Sequence, residues 1–380
     1  MFFIAFFIIA TACSAITIKT LVGYNDMNLI GKLLISAVVL LGWFSPLLIS
    51  ALHHASWLSP RAFAVVSFTG YTLLGFAFIV FCLLMLRDII WYGVYGSARA
   101  LGFHSWSLNP KNISVLGRAN LIVVVLGFLV GLYALYEGIK IPTVNKIAIE
   151  TPLLKKNWRL VHLSDTHIDR TTPVSRIHKI VETAEKQNPD IILLTGDIFD
   201  DDPTVLDEQI AALSGLSAPF GVYVSLGNHE FYNGLNSWMY KYKKMGFVVL
   251  FNKGVTVADD IFIAGIPDAF TANSHPGLNI NLARTLEGSN QKQLKVLLSH
   301  NPEIASSISS YNFQVMLAGH THGGQIFPFH FFVKKANKYL SGDYKVNDID
   351  LHVSPGAGTW GPSMRLFAPS EIAVIDLIKK

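Results

Sequence analysis

Arg159-Leu160-Val161-His162-Leu163-Ser164-Asp165-Thr166-His167 decides the fold of the C-terminal part of this chain. An apolar, β-favouring run ends abruptly in Asp-x-His, so a buried strand over 159–164 delivers two polar side chains into a loop. The pattern recurs downstream. Strands are predicted over 191–195, 222–226, 261–264, 296–299, 315–318 and 372–377. Gly196-Asp197-Ile198-Phe199-Asp200 follows the second strand and Gly227-Asn228-His229-Glu230 the third. His300-Asn301-Pro302 follows a later one, and Gly319-His320-Thr321-His322-Gly323-Gly324 another. Ile177, Ile180, Val181 and Ala184 share one face of a helix predicted over 173–187, and strands alternating with helices give an α/β layered domain. Five strand C-termini thus each present Asp, Asn or His where α/β sheets tend to build their sites.

Toward the N-terminus the composition changes. Of 380 residues, 51% are hydrophobic and only 15% charged, and the mean hydropathy is +0.41. Residues 1–144 hold eight Lys/Arg against three acids, a net +5, leaving 22 basic and 23 acidic residues, a net −1, in 145–380. The boundary between a transmembrane region and a globular domain is therefore drawn at 144/145. Four uncharged apolar stretches, 1–18, 33–52, 62–86 and 119–136, are each long enough to cross a bilayer as a helix. The first lacks a positive n-region and is followed by further spans, so it reads as a retained span in place of a cleaved signal. Residues 88–118, with Trp91, Tyr92, Tyr95 and Trp106, read as a loop with an interfacial piece. Six basic residues in the loops on one side (Lys19, Lys32, Arg87, Arg99, Lys111, Arg118) stand against five on the other (Arg61, Lys140, Lys146, Lys155, Lys156). That balance leans toward an extracytoplasmic C-terminal domain. No basic surface of the kind that binds nucleic acid is present. Both cysteines, Cys13 and Cys82, lie in the apolar part, so the globular part has neither disulfide nor thiolate metal site.

The loop residues make a coherent chemistry. Attack on a phosphate ester needs charge neutralised on the phosphoryl group and a strong nucleophile at neutral pH. Two divalent ions roughly 3.5–4 Å apart supply both, clamping oxygens and lowering the pKa of a bound water. Such a pair needs a bridging carboxylate flanked by imidazoles and hard oxygen donors. Competing motifs fail. Position 233 is Asn, which breaks His-Glu-x-x-His after His229, and neither a Gly-x-Ser-x-Gly elbow nor a Walker loop occurs.

In order, Asp-x-His, Gly-Asp-x-x-Asp, Gly-Asn-His-Glu, His and Gly-His-x-His over 165–322 resemble the calcineurin-like metallophosphoesterase superfamily. The stretch Ser354-Pro355-Gly356-Ala357-Gly358-Thr359-Trp360-Gly361-Pro362 with Arg365 is similar to the C-terminal signature of a bacterial membrane-associated branch. The resemblance implies a four-layer αββα sandwich over 145–380. It implies Asp165, His167 and His322 on one metal ion, Asp197 as the bridge, and Asn228, His300 and His320 on the second. His229, oriented by Asp200, would contact the phosphate or protonate the leaving oxygen. The ions would be two divalent metals, with Mn, Fe and Zn all suited to an N/O donor set. Protein-phosphatase members follow the second acid with Arg-Gly, whereas Asp201-Asp202 follow Asp200 here. The phosphate-gripping arginine is thus missing, and Arg365 is the candidate substitute. His162, mid-strand, reads as core packing, and His352 reads as packing first and as support for a ligand second.

These readings give a membrane-anchored phosphoesterase, integral and multi-pass in a bacterial cell membrane, with membrane lipid and a phosphoester substrate as partners. One alternative is a pyrophosphatase acting on a lipid-linked or nucleotide-lipid diphosphate, favoured by the aromatic loop 88–118 and by Phe327, Phe329, Phe331 and Phe332. A second is a non-catalytic sensor of a phosphorylated ligand.

Overall fold

The computed structural model describes residues 2–23, 27–53, 55, 57–103, 109–110, 112–273 and 278–380. They form two compact units, Met1–Tyr136 with Gly361–Met364 and Glu137–Trp360 with Arg365–Lys380.

The first unit is built from α1 (Phe2–Gly23), α2 (Leu29–Leu52), α3 (Pro60–Ala100) and α4 (Ile113–Ile139). Asn28 caps α2 by accepting the Gly31 N–H at 2.9 Å. Ser59 does the same for Ala62, with Pro60 in the first turn of α3. All four helices are long and apolar enough to cross a membrane. Their large apolar side chains point outward more often than inward: Leu29, Ile30, Val65 and Leu121 are among the exposed ones, while Val39 and Trp43 are buried. The third helix corrects the sequence reading. It does not stop at 86 but continues to Ala100, where a loop was expected, reaching roughly 60 Å at 1.5 Å per residue. Charge does not end it because the charge is satisfied locally. The Arg87 Nε donates to Asp88 Oδ1 at 2.9 Å, and its Nη1 donates to Asn120 of α4. Trp106 lies outside the described residues.

The second unit contains twelve described strands. They are β1 (Thr143–Thr151), β2 (Trp158–Leu163), β3 (Ile191–Thr195), β4 (Val222–Ser225), β5 (Val248–Val249), β6 (Lys253–Val257), β7 (Ile261–Gly265), β8 (Leu294–Leu298), β9 (Val315–Ala318), β10 (Gly342–Val346), β11 (Ile349–Val353) and β12 (Glu371–Lys379). Two six-stranded mixed sheets result, ordered β1-β12-β2-β3-β4-β5 and β10-β11-β9-β8-β7-β6. Strand alternation explains their stacking. Leu160, Ile191 and Leu193 pack with Ile263, Val296 and Leu317 of the other sheet. The alternate residues Val161, Ile192 and Leu194 pack outward on Ile177 and Ile180 of α5 (Val174–Glu185), Ile210 and Leu213 of α6 (Asp207–Leu213), and, past a short α7 (Asn228–Tyr232), Trp238 of α8 (Leu235–Lys244). On the far side Phe262, Leu297 and Met316 cover Ala305, Ile308 and Tyr339. The layers therefore run helix, sheet, sheet, helix. All seven expected strands are present. Parallel pairing of β2 with β3, β3 with β4 and β8 with β9 brings the C-terminal ends that carry the motifs to one edge of each sheet.

Candidate metal centre

Every motif loop begins where a strand can no longer pair. Asp165 follows β2, Asp197 follows β3, Asn228 follows β4, His300 follows β8 and His320 follows β9. Five residues in these loops, Asp165, His167, Asp197, His320 and His322, adopt positive φ between 45° and 72°. Asp and His tolerate this left-handed backbone better than most side chains, but it is still sparsely populated, and such outliers cluster at functional sites. Tight approach makes two glycines obligatory. A Cβ on Gly227 would overlap Oδ1 of Asp197, and one on Gly319 would overlap Ser164 Oγ and Asp165 Oδ2.

Three overlapping groups of donors result: Asp165, His167 and His322; His167, Asp197 and His229; and Asp197, His300 and His320. Asp197 lies between the outer two. Its Oδ2 is 3.9 Å from His167 Nε2 and 3.1 Å from His300 Nε2. In the first group, His322 Nε2 is 3.4 Å from Asp165 Oδ1 and 2.9 Å from His167 Nε2. In the last, His320 Nδ1 is 3.1 Å from His300 Nε2. Imidazole nitrogens this close repel unless a proton or cation stands between them. The site also leaves the buried Asn228 Oδ1 without a hydrogen-bond partner, an unusual cost for a carbonyl oxygen unless a cation takes the lone pair. A donor set of buried carboxylates, imidazoles and an orphaned amide oxygen fits divalent metal ions.

Neighbouring groups hold these donors in place. The Thr195 carbonyl can only accept, so His300 carries its proton on Nδ1 (2.8 Å) and turns Nε2 toward Asp197. Asp165 accepts from the His320 backbone N–H at 3.0 Å and from Ser164 Oγ at 2.5 Å. Asp200 Oδ1 sits 2.7 Å from His229 Nδ1 and also 2.6 Å from His167 Nδ1, so one carboxylate oxygen orients both rings. Burial alone would favour neutral rings. The carboxylates around them instead carry His167 well above the ordinary histidine range and raise His229. The same contest takes His300 to about 10. Burial would likewise push Asp197 up, but His300 and His229 hold it well below the carboxylate range.

Sequence reading passed over Glu230. This fully buried carboxylate accepts the backbone N–H groups of Asp197 (3.0 Å), Gly227 (2.8 Å) and Ile198 (2.9 Å) and the Tyr242 hydroxyl (2.8 Å). It ties the β3 and β4 loops together. The signal was present, since Glu230 completes Gly-Asn-His-Glu, but its partners lie more than thirty residues away for two of these bonds.

Residues 159–324 match the family model of the calcineurin-like phosphoesterases. An uncharacterized metallophosphoesterase of Helicobacter pylori is 31% identical over 307 residues, covering 80% of this chain and 80% of that one. The chain belongs to the calcineurin-like metallophosphoesterases. An uncharacterized metallophosphoesterase of Campylobacter jejuni is 36% identical over 244 residues, 63% of this chain and 64% of the length of that protein. A transmembrane protein with metallophosphoesterase domain from Danio rerio is 27% identical over 320 residues, covering 80% of this chain and 73% of that one.

Within this metallophosphoesterase, Arg365 does not replace the missing phosphate-gripping arginine. It is fully buried, and its guanidinium donates to the carbonyls of Gly358, Ala368, Pro355 and His322. Every direction a phosphate could use is taken by backbone oxygen. The C-terminal signature instead braces the site: Ala357 N–H donates to the Ser164 carbonyl at 2.9 Å and Gly358 N–H to that of Asp165 at 2.8 Å. Asp201, where the protein-phosphatase pattern has Arg, is buried and receives Arg170 Nη2 at 2.8 Å. His162 is enclosed in the core with Nε2 on Thr195 Oγ1 at 2.8 Å. His352 is held by Asp343 and Glu371, and it belongs to none of the donor groups.

Proposed function

We propose that the chain is a membrane-anchored, metal-dependent phosphoester hydrolase. The observation that carries this reading is the placement of Asp197 between two donor groups, with His229 beside it and fixed by Asp200. Asp165, His167 and His322 would hold one divalent ion, and Asn228, His300 and His320 the second, with Asp197 shared. When bound, such a pair neutralises phosphoryl charge and acidifies water. The chain's own residues do the rest. The His229 backbone N–H donates to Asp197 Oδ1 at 2.9 Å, keeping the bridge and the ring in register. Because Asp200 accepts the Nδ1–H, His229 Nε2 is left to face the ester, and the Asp200 and Asp197 carboxylates raise the ring's pKa against the lowering by burial. It is the group suited to donate a proton to the leaving oxygen, a contribution worth typically 10²–10⁴-fold. Glu230 and Arg365 position the loops and touch no reacting atom.

Membrane anchoring rests on the four apolar helices and on the likeness to transmembrane relatives. We propose a multi-pass placement in a bacterial cell membrane, with the balance of basic residues leaning toward an extracytoplasmic catalytic unit.

The test is hydrolysis of a chromogenic phosphomonoester and a phosphodiester by the full-length chain in detergent, reconstituted with Mn, Fe or Zn. Asp197→Ala should abolish turnover and lower bound metal. His229→Gln should cut kcat by roughly 10²–10³-fold with metal content unchanged. Turnover that survives Asp197→Ala would sink the two-metal reading. Two bound ions with no turnover of any ester, lipid-linked diphosphates included, would leave a phospho-ligand sensor in its place.

A further inference from the structure

Just beyond His322 the chain exposes a cluster of rings that phosphate chemistry does not require. The Phe327 centroid lies 5.6 Å from that of Phe367 and 5.9 Å from that of Phe331, and Phe329 lies 6.1 Å from Phe332. The rings pack on one another, not into a core. Phe331, Phe332 and Phe367 remain 62%, 69% and 78% exposed, and the helix His330–Asn337 has no buried residue. Burying such side chains is favourable, so a group of them facing water is costly and marks a contact surface.

The cluster is also fixed relative to the donor loops. Gln325 N–H donates to the His322 carbonyl at 3.0 Å, Leu366 N–H to the Gln325 carbonyl at 2.8 Å, and Phe327 N–H to that of Leu366 at 3.2 Å. A Cβ on Gly324 would overlap the backbone of His330, so the helix sits directly against the His322 turn. Its charge is one-sided. Lys334, Lys335 and Lys338 follow the rings, and 320–342 contains no acidic residue. Exposed aromatics beside lysines match the headgroup region of a bilayer, where rings sit below the phosphates and ammonium groups reach them. A protein groove would satisfy the rings but gives no reason for three cations without an acid.

We infer that the segment 327–338, with Phe367, inserts into the interface of an anionic lipid bilayer and holds the donor loops next to the headgroup layer. This rests on the membrane-anchored reading above. Lipid phosphates, in place of freely diffusing esters, are then the groups nearest the centre.

The inference is tested with the full-length chain in vesicles of phosphatidylcholine containing a minority of phosphatidylglycerol, in a Cys13→Ser/Cys82→Ser background. Phe332→Cys and, as a control on exposed α8, Tyr240→Cys each receive a nitroxide label. Relaxation by oxygen and by a water-soluble nickel chelate is then compared. Insertion predicts that the label at 332 is relaxed readily by oxygen and at least about fivefold less by nickel than the label at 240. Equal nickel access at both positions overturns it. Protection at 332 from both reagents indicates protein contact and overturns it as well. The anchor is read separately: a chain released by alkaline carbonate has lost the membrane reading itself, whatever the labels report.

Discussion

Leu126 on α4 and Val205, next to α6, are almost equally exposed, at 49% and 47%, and the two positions mean different things. Around Leu126 the exposed neighbours are Leu121, Ile122, Val125, Phe128 and Leu129. Around Val205 they are Thr204, Asp207 and Glu208. One unit turns its apolar side chains outward over four helices. The other keeps them in three core layers and gathers buried carboxylates and imidazoles at its strand ends. On the membrane-anchored reading proposed above, a single hydrophobicity scale gives opposite answers for the two because each is matched to a different solvent. The aromatic segment 327–332 is a place where the second unit departs from its own rule.

The largest expected effect lies where the second unit has no room at all. Gly227→Ala should reduce turnover by more than about 10³-fold, because the new Cβ collides with the Asp197 carboxylate. Steady-state rates and metal content check this, and a wild-type rate would show that the β4 loop yields more than its packing implies. Next in size is the contrast between solvents. Leu126→Lys should cost membrane insertion about 2.5–3.5 kcal/mol, while Val205→Lys should change stability by no more than about 0.5 kcal/mol. A glycosylation-based insertion assay and thermal melts of the detergent-solubilised chain read the two. Equal, small effects would break the comparison. Glu230→Gln should come third. It leaves one of the bracing backbone N–H groups poorly matched inside the core, at about 1–3 kcal/mol, seen as a lowered Tm with a smaller loss of kcat than His229→Gln.

The smallest effect concerns His352. Burial would lower its pKa, but Asp343 and Glu371 raise it from 6.5 to about 9. A raised folded pKa contributes stability that is complete below 6.5 and disappears as pH rises through about 9. His352→Gln should therefore flatten the dependence of Tm on pH between those values. An unchanged slope would rule the ion pairs out as a source of stability.

Much of the second unit was legible because strand pattern and motif coincide: an apolar run stops, and a donor follows. The strands that escaped carry no such signature. β1 reads as a connector since its residues alternate between exposed and half-buried along an outer edge, where pairing with β12 alone holds it. β5 has two residues and β10 is polar. The far end of α3 was hidden because Arg87-Asp88 looks like a span ending, and its partner Asn120 is 33 residues away. In the site, candidate donors were visible as Asp, Asn and His at strand ends, and their grouping came from the family resemblance. Glu230 and Arg365 were not, because their roles are hydrogen bonds to backbone that only the folded chain brings near.

The left-handed backbone at Asp165, His167, Asp197, His320 and His322 has a further consequence. At about 1 kcal/mol or more apiece, five such residues hold back a sum comparable with the whole stability of an ordinary domain. The ions of the proposed centre, binding only the folded form, would offset that cost by mass action. On that proposal, a chain starved of them would open at these loops first and be cleared by proteases sooner, so that metal supply would govern how long each copy of the protein survives.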